Sequence, residues 1–186
     1  MVRTGTPGLN VAGLAVTAAA GGRWVVPTQA ALAALHDARF PASAVTAVLH
    51  VGHDDVGPMS GAIRDVIGAT GCTRTFDVDI GAMGLVAALA VGASLLADDG
   101  AVLITACEPG GGGASIVLAG GSSSRAATFE FDQTRGDDFG PYVLRSASPV
   151  RGLLDCRAAG RHDVVLVAAD DASPTASVRC RLQNRH

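Results

Sequence analysis

The densest chemistry in the chain is the run His50-Val-Gly-His53-Asp54-Asp55, two imidazoles three residues apart followed at once by two carboxylates. Imidazole and carboxylate are common zinc ligands and common acid/base groups, so the segment could hold a metal or pass a proton. It follows Val45 to Val51, an apolar, partly β-branched run typical of a buried strand. In open α/β sheets, ligand sites lie beyond the carboxyl ends of strands. No further ligand is identifiable, however, and a polar loop with one inward histidine is the plainer account; neither a metal nor a cofactor is expected. His50 itself should be buried if the strand continues through Val51.

Asp79 is the next candidate, standing just ahead of a long uncharged segment. A carboxylate at a helix N-terminus is stabilised there rather than made basic, so capping of the N–H groups of Gly81 to Gly84 is favoured over catalysis. The run Pro109-Gly-Gly-Gly-Gly113 resembles a phosphate loop only superficially: it precedes a strand, has no Lys, and reads better as a tight turn between strands. Asp132 to Asp138 reads as a solvated acidic loop. Cys72, Cys107, Cys156 and Cys180 lie far apart without a CxxC pair, and with Met-Val-Arg at the start a secretory leader is not expected. Inert thiols in a reduced, cytoplasmic setting are therefore expected.

The elements that must position these groups follow from periodicity and turn residues. Leu9 to Thr17 reads as a strand, and Thr28 as the N-cap of a helix to about Arg39. Val45 to Val51 is the second strand, Pro58 to Ile67 a helix closed by Gly68, and Arg74 to Asp79 the third strand. An uncharged helix then runs from about Ala82, followed by strands Ala101 to Ala106 and Ser115 to Leu118. The order β-α-β-α-β-α-β-β predicts an α/β fold with a largely parallel sheet. Beyond Gly120 come strand Ala127 to Phe131, helix Ser148 to Ala159, and strands Asp163 to Ala168 and Thr175 to Leu182. The helix and two strands at the end repeat the layout around Ala101 to Leu118, a sign of internal duplication in which the second copy keeps only those three elements.

Composition narrows the classes further. The 186 residues are 48% hydrophobic and 17% charged, with 24 Gly, 14 Arg, no Lys and a net charge of −3. That length and apolar content support a packed core and exclude disorder and a disulfide scaffold. Scattered Arg gives no footprint for nucleic acid or an anionic membrane. Ile80 to Ala97 carries no charge over 18 residues, but it is rich in Ala and Gly and reads as the buried helix of a layered fold rather than a membrane span.

The duplicated α/β order, together with Phe76-Asp-Val-Asp-Ile-Gly-Ala-Met-Gly84 between the third strand and the buried helix, resembles the thiolase superfamily. It is most similar to ketoacyl synthase III, whose turn reads roughly Phe-Asp-Val-Asn-Ala-Ala-Cys-Ser-Gly. Asp55 to Gly71, Gly110 to Leu118 and Ser146-Ala-Ser-Pro with Val164-Val-Leu-Val extend the likeness. The resemblance implies a thiolase-like layered sandwich: a nearly complete βαβαβαββ half over 1–119 and a shortened second half over 120–186.

It also implies where the chemistry would sit, and where this chain departs. The position of the family's nucleophilic cysteine is Ala82, followed by Met83, and a methyl group cannot carry a thioester. The position of the family's asparagine is Leu144, and nothing between Ala119 and Tyr142 supplies its histidine. Condensation by the family mechanism is not expected. The resemblance instead suggests a non-condensing, chain-length-factor-type partner of an active synthase in a polyketide or fatty-acid-like pathway. Phe76, Ala82, Met83 and Gly84 would then lie near the floor of an acyl tunnel. Its partners would be a ketosynthase subunit, an acyl carrier protein, or both. Dimerisation, with itself or with a synthase, would run through Thr73 to Asp79. The alternative is a repurposed enzyme hydrolysing, isomerising or cyclising a carrier-bound acyl chain, with His53, Asp54, Asp55 or Asp79 converging near the buried helix.

Overall fold

The computed structural model describes residues 8–18, 25–52, 58–72, 74–79, 84–97, 99–107, 112–120, 129–131, 143–145, 148–170 and 173–183. In chain order the elements are β1 (Leu9–Thr17), α1 (Val25–Ala38), β2 (Val45–Val51), α2 (Met59–Ile67), β3 (Arg74–Val78), α3 (Gly84–Leu95), β4 (Ala101–Cys107) and β5 (Gly113–Ala119). Then follow β6 (Phe129–Phe131), β7 (Val143–Arg145), α4 (Pro149–Ala158), β8 (Asp163–Asp170) and β9 (Ser173–Leu182). The first helix starts at Val25, so Thr28 lies inside it as a buried residue and not at its N-cap. Pro58 does precede α2, and Gly68 closes it in the left-handed conformation at φ 75°, where a glycine carries no steric penalty.

Among the described residues the strands form one nine-stranded sheet, in the order β3-β2-β4-β5-β1-β9-β8-β7, with β6 beside β9. The sheet is mixed rather than largely parallel. β2 runs parallel to β3 and β4, but β5 turns straight back from β4, so it lies antiparallel to both β4 and β1.

The duplication extends further than the sequence suggests. β2-β4-β5-β1 is joined by parallel, antiparallel and antiparallel pairings, and β7-β8-β9-β6 repeats those three pairings in the same order. The second copy therefore holds four strands and a helix, where only two strands and a helix were expected. Counterparts of α1, α2 and β3 are not among its described residues.

Layering follows from which faces are apolar. Small side chains of α1, α2 and the outer sheet face, including Ala12, Ala31, Ala34, Val48, Leu103 and Val117, form one core. The other face, with Leu49, Ile104, Ile116 and Leu118, packs on α3. α3 also touches β8 and β9, and α4 touches β1, β5, β7 and β8, so both helices lie between the two copies. α3 is buried through Leu85, Val86, Ala88, Leu89, Gly92 and Ala93, and it is too short to cross a membrane; no helix among the described residues is long and apolar enough to do so.

β1 shows how closely the outer layer approaches. The pairing with β5 slips between Val11 and Gly13, so Ala12 and Gly13 both face α1 and Leu14 is returned to the central core. A Cβ on Gly13 would stand 2.2 Å from the Ala34 carbonyl oxygen, so no larger residue fits under the helix.

Candidate functional site

The site implied by the resemblance lies on the central face of β2 and β3, where α3 begins. Phe76 is in register with Leu49, a central-core residue, and is 41% exposed because β3 ends the sheet. Gly84 opens α3 and is buried; a Cβ there would stand 2.8 Å from Val51 Cγ1. Leu49 and Val51 share one face of β2 about 7 Å apart along the strand, so Phe76 and Gly84 flank neighbouring positions on it. Ala82 and Met83 lie outside the described residues. Leu144 falls in β7, paired with Leu166 of β8.

The sequence's polar candidates separate from that face. His50 is 1% exposed, as its place in the strand requires, but it points to the outer face, because its neighbour Leu49 belongs to the central core. His50 Nδ1 lies 2.9 Å from Thr105 Oγ1, whose hydroxyl donates to the Leu49 carbonyl at 3.3 Å. The Thr105 oxygen is thus left to accept, which makes Nδ1 the protonated ring nitrogen. Ser115, opposite Thr105 on β5, donates to the Ile104 carbonyl at 3.0 Å. This buried polar row is separated from the start of α3 by the sheet itself. Asp79 is an exposed residue just past the end of β3. His53, Asp54 and Asp55 lie outside the described residues, and no group of three or more metal-ligating side chains occurs among those described.

Two polar arrangements went unread in the sequence. Asp77, opposite His50 in register, accepts from Ser60 N at 3.1 Å and Ser60 Oγ at 2.8 Å. It caps α2 from a neighbouring strand, where the local cap position is Pro58 and makes no side-chain bond. Asp37 Oδ2 accepts from Arg157 Nη1 at 2.7 Å and from Leu14 N at 2.9 Å, joining α1, α4 and β1. Asp37 carried a readable signal: an acid in the last turn of a helix is opposed by the helix dipole, so a cation from elsewhere was called for.

Two β-sheet halves enclosing buried central helices, with the strand order and senses described, define a thiolase-like α/β sandwich. Solved structures that share it include 3-oxoacyl-[acyl-carrier-protein] synthase III from Aquifex aeolicus VF5, at 10% identity and TM-score 0.69 over 92% of this chain and 99% of that one. FabH from Pseudomonas aeruginosa PAO1 is similar at 15% identity and TM-score 0.68, over 95% and 98%. A Xanthomonas campestris OleA variant with bound lauric acid and lauroyl-CoA is similar at 12% identity and TM-score 0.70, over 94% and 99%. The chain has the fold of these ketosynthase III-type proteins. No protein-family model and no curated protein matches its sequence.

Proposed function

We propose that this chain is a non-condensing, ketosynthase-like subunit that pairs with an active synthase and helps to shape its acyl tunnel, as chain-length-factor-type subunits do. The observation that carries the reading is a contrast at one place. The chain has the fold of a solved 3-oxoacyl-[acyl-carrier-protein] synthase III, yet by the resemblance of Phe76 to Gly84 to that family's turn the position of its nucleophilic cysteine is Ala82, whose methyl group can accept no acyl chain. Among the described residues β3 ends the sheet with Phe76 exposed beside it, which supports a partner there, because a strand edge without a neighbour favours pairing with another strand. Apolar Met83 next to Ala82 suits contact with an acyl chain more than proton transfer.

Co-expression with a ketosynthase that lacks a partner subunit tests this. The expected outcome is a co-purifying complex in which only the synthase is acylated by an acyl-carrier thioester, and in which Phe76→Asp prevents association. Failure of the two chains to associate would defeat the partner reading. Thioester hydrolysis, isomerisation or cyclisation by the chain alone would instead favour the repurposed-enzyme reading.

A further inference from the structure

α1 covers the outer face of the sheet, with Ala30, Ala31, Ala34 and Leu35 buried beneath it. A helix in that position ordinarily turns charged residues toward water. The outward residues of α1 are instead Val25, Gln29, Leu32, Ala33 and His36, none of them Asp, Glu, Lys or Arg. Asp37 is the one such residue between Val25 and Ala38, and its side chain is 6% exposed and paired with Arg157. A helix so poor in charge all round belongs inside an assembly, because its outer face also gains by leaving water.

The surface continues on α2, which packs beside α1. Leu32 is 47% exposed and Val25 45%, and Val66 of α2, at 68%, is the most exposed large apolar side chain among the described residues. Arg64 and Asp65, which precede Val66, hold each other at 2.6 Å, so α2 adds no net charge beside it. Charge then selects the occupant. A strongly acidic or basic partner would find no carboxylate or guanidinium to pair with on the outward face of α1. Two copies related by a two-fold axis set one face against the same face, where any net charge would oppose itself. The chain as a whole carries a net charge of −3, yet this face presents no such obstacle.

We propose that the α1–α2 layer is the surface on which the chain pairs with a second copy of itself about a two-fold axis. Leu32 and Val66 of each copy are buried in the pair, and Val25 extends the contact toward the start of α1. The pairing does not rest on the reading of the α3 region. It uses neither the β3 edge nor Phe76, which stands on the other face of the sheet.

Sedimentation of the whole chain over a range of concentrations tests this, and a dimer is the expected state. Leu32→Glu places like charges on both copies and should weaken pairing at least about tenfold at an unchanged melting temperature, as should Val66→Glu. An equal mixture of Leu32→Glu and Leu32→Arg chains should pair again, which simple damage to the fold would not allow. Phe76→Asp should leave the dimer intact. A chain that is monomeric at every concentration, or a dimer that Phe76→Asp abolishes and Leu32→Glu and Val66→Glu spare, would overturn the proposal.

Discussion

β4–β5 and β8–β9 are the same structure twice: a helix, an antiparallel hairpin, and a parallel neighbour beside its first strand. Their side chains differ. Every residue of β5 is buried, and so is β4 from Ala101 to Thr105. In β9, by contrast, Val178, Cys180 and Leu182 are buried while Arg179 is half-buried and Arg181 exposed; in β8, Asp163 is exposed and Val165 half-buried. Both hairpins send residues into the central core, but only the first sends Leu103, Val117 and their neighbours into a second core under α1 and α2. Backbone pairing is thus inherited by both copies. Among the described residues helices pack on the outer face of the first hairpin and not on that of the second, where Val167 and Ser177 are nonetheless buried.

The largest expected effect concerns the tie between the copies. Arg157→Met removes a charged partner of the buried Asp37 carboxylate and should cost up to about 3–5 kcal/mol in urea unfolding. The Asp37→Asn/Arg157→Met double variant should recover much of that loss. If it is no more stable than Arg157→Met alone, the pair does not couple α1 to α4.

A smaller contrast comes from truncating one side chain on the outward face of each hairpin. Leu103→Ala should lower stability by about 3 kcal/mol, because Leu103 is fully buried beneath the outer helices. Val165→Ala should cost less than about 1 kcal/mol. Equal losses would mean that the second hairpin is covered on both faces and would dissolve the distinction drawn between the copies.

Near pH 9 the smallest effect is one of pH, and it grows only as the solution becomes more alkaline. Burial pushes the Cys180 thiol from 9.0 up to about 12. Above pH 9 the unfolded chain loses this proton while the folded chain keeps it, so the contribution is complete below pH 9 and declines as pH rises toward 12, by up to about 1.4 kcal/mol per unit. Cys180→Ala should flatten the alkaline limb of the stability curve. An unchanged limb would show that Cys180 is not buried as described.

Much of the first copy was legible in the sequence. Leu9–Thr17 and Val45–Val51 are read to the residue, since each is a run of apolar residues bounded by breakers. The second copy was harder. β7 spans only Val143–Arg145 and owes its existence to pairing with β8, and no local pattern in three residues announces that. The burial of His50 was legible from its position in a strand, but its separation from the α3 region was not. Which face of a strand is the central one depends on which helices pack there. Asp77 illustrates the same limit: its tie to Ser60 joins residues that only the parallel pairing of β2 and β3 brings together.

By itself the sequence determined most of the element order and the internal duplication, because these are written in apolar spacing and breakers. Only the tertiary structure decided that the sheet is mixed, that His50 and Phe76 stand on opposite faces, that Asp37 meets Arg157, and that β9 pairs with β1 over Leu9–Val11. Each of those facts depends on contacts between residues far apart in the chain, and local propensity carries no information about distance in space.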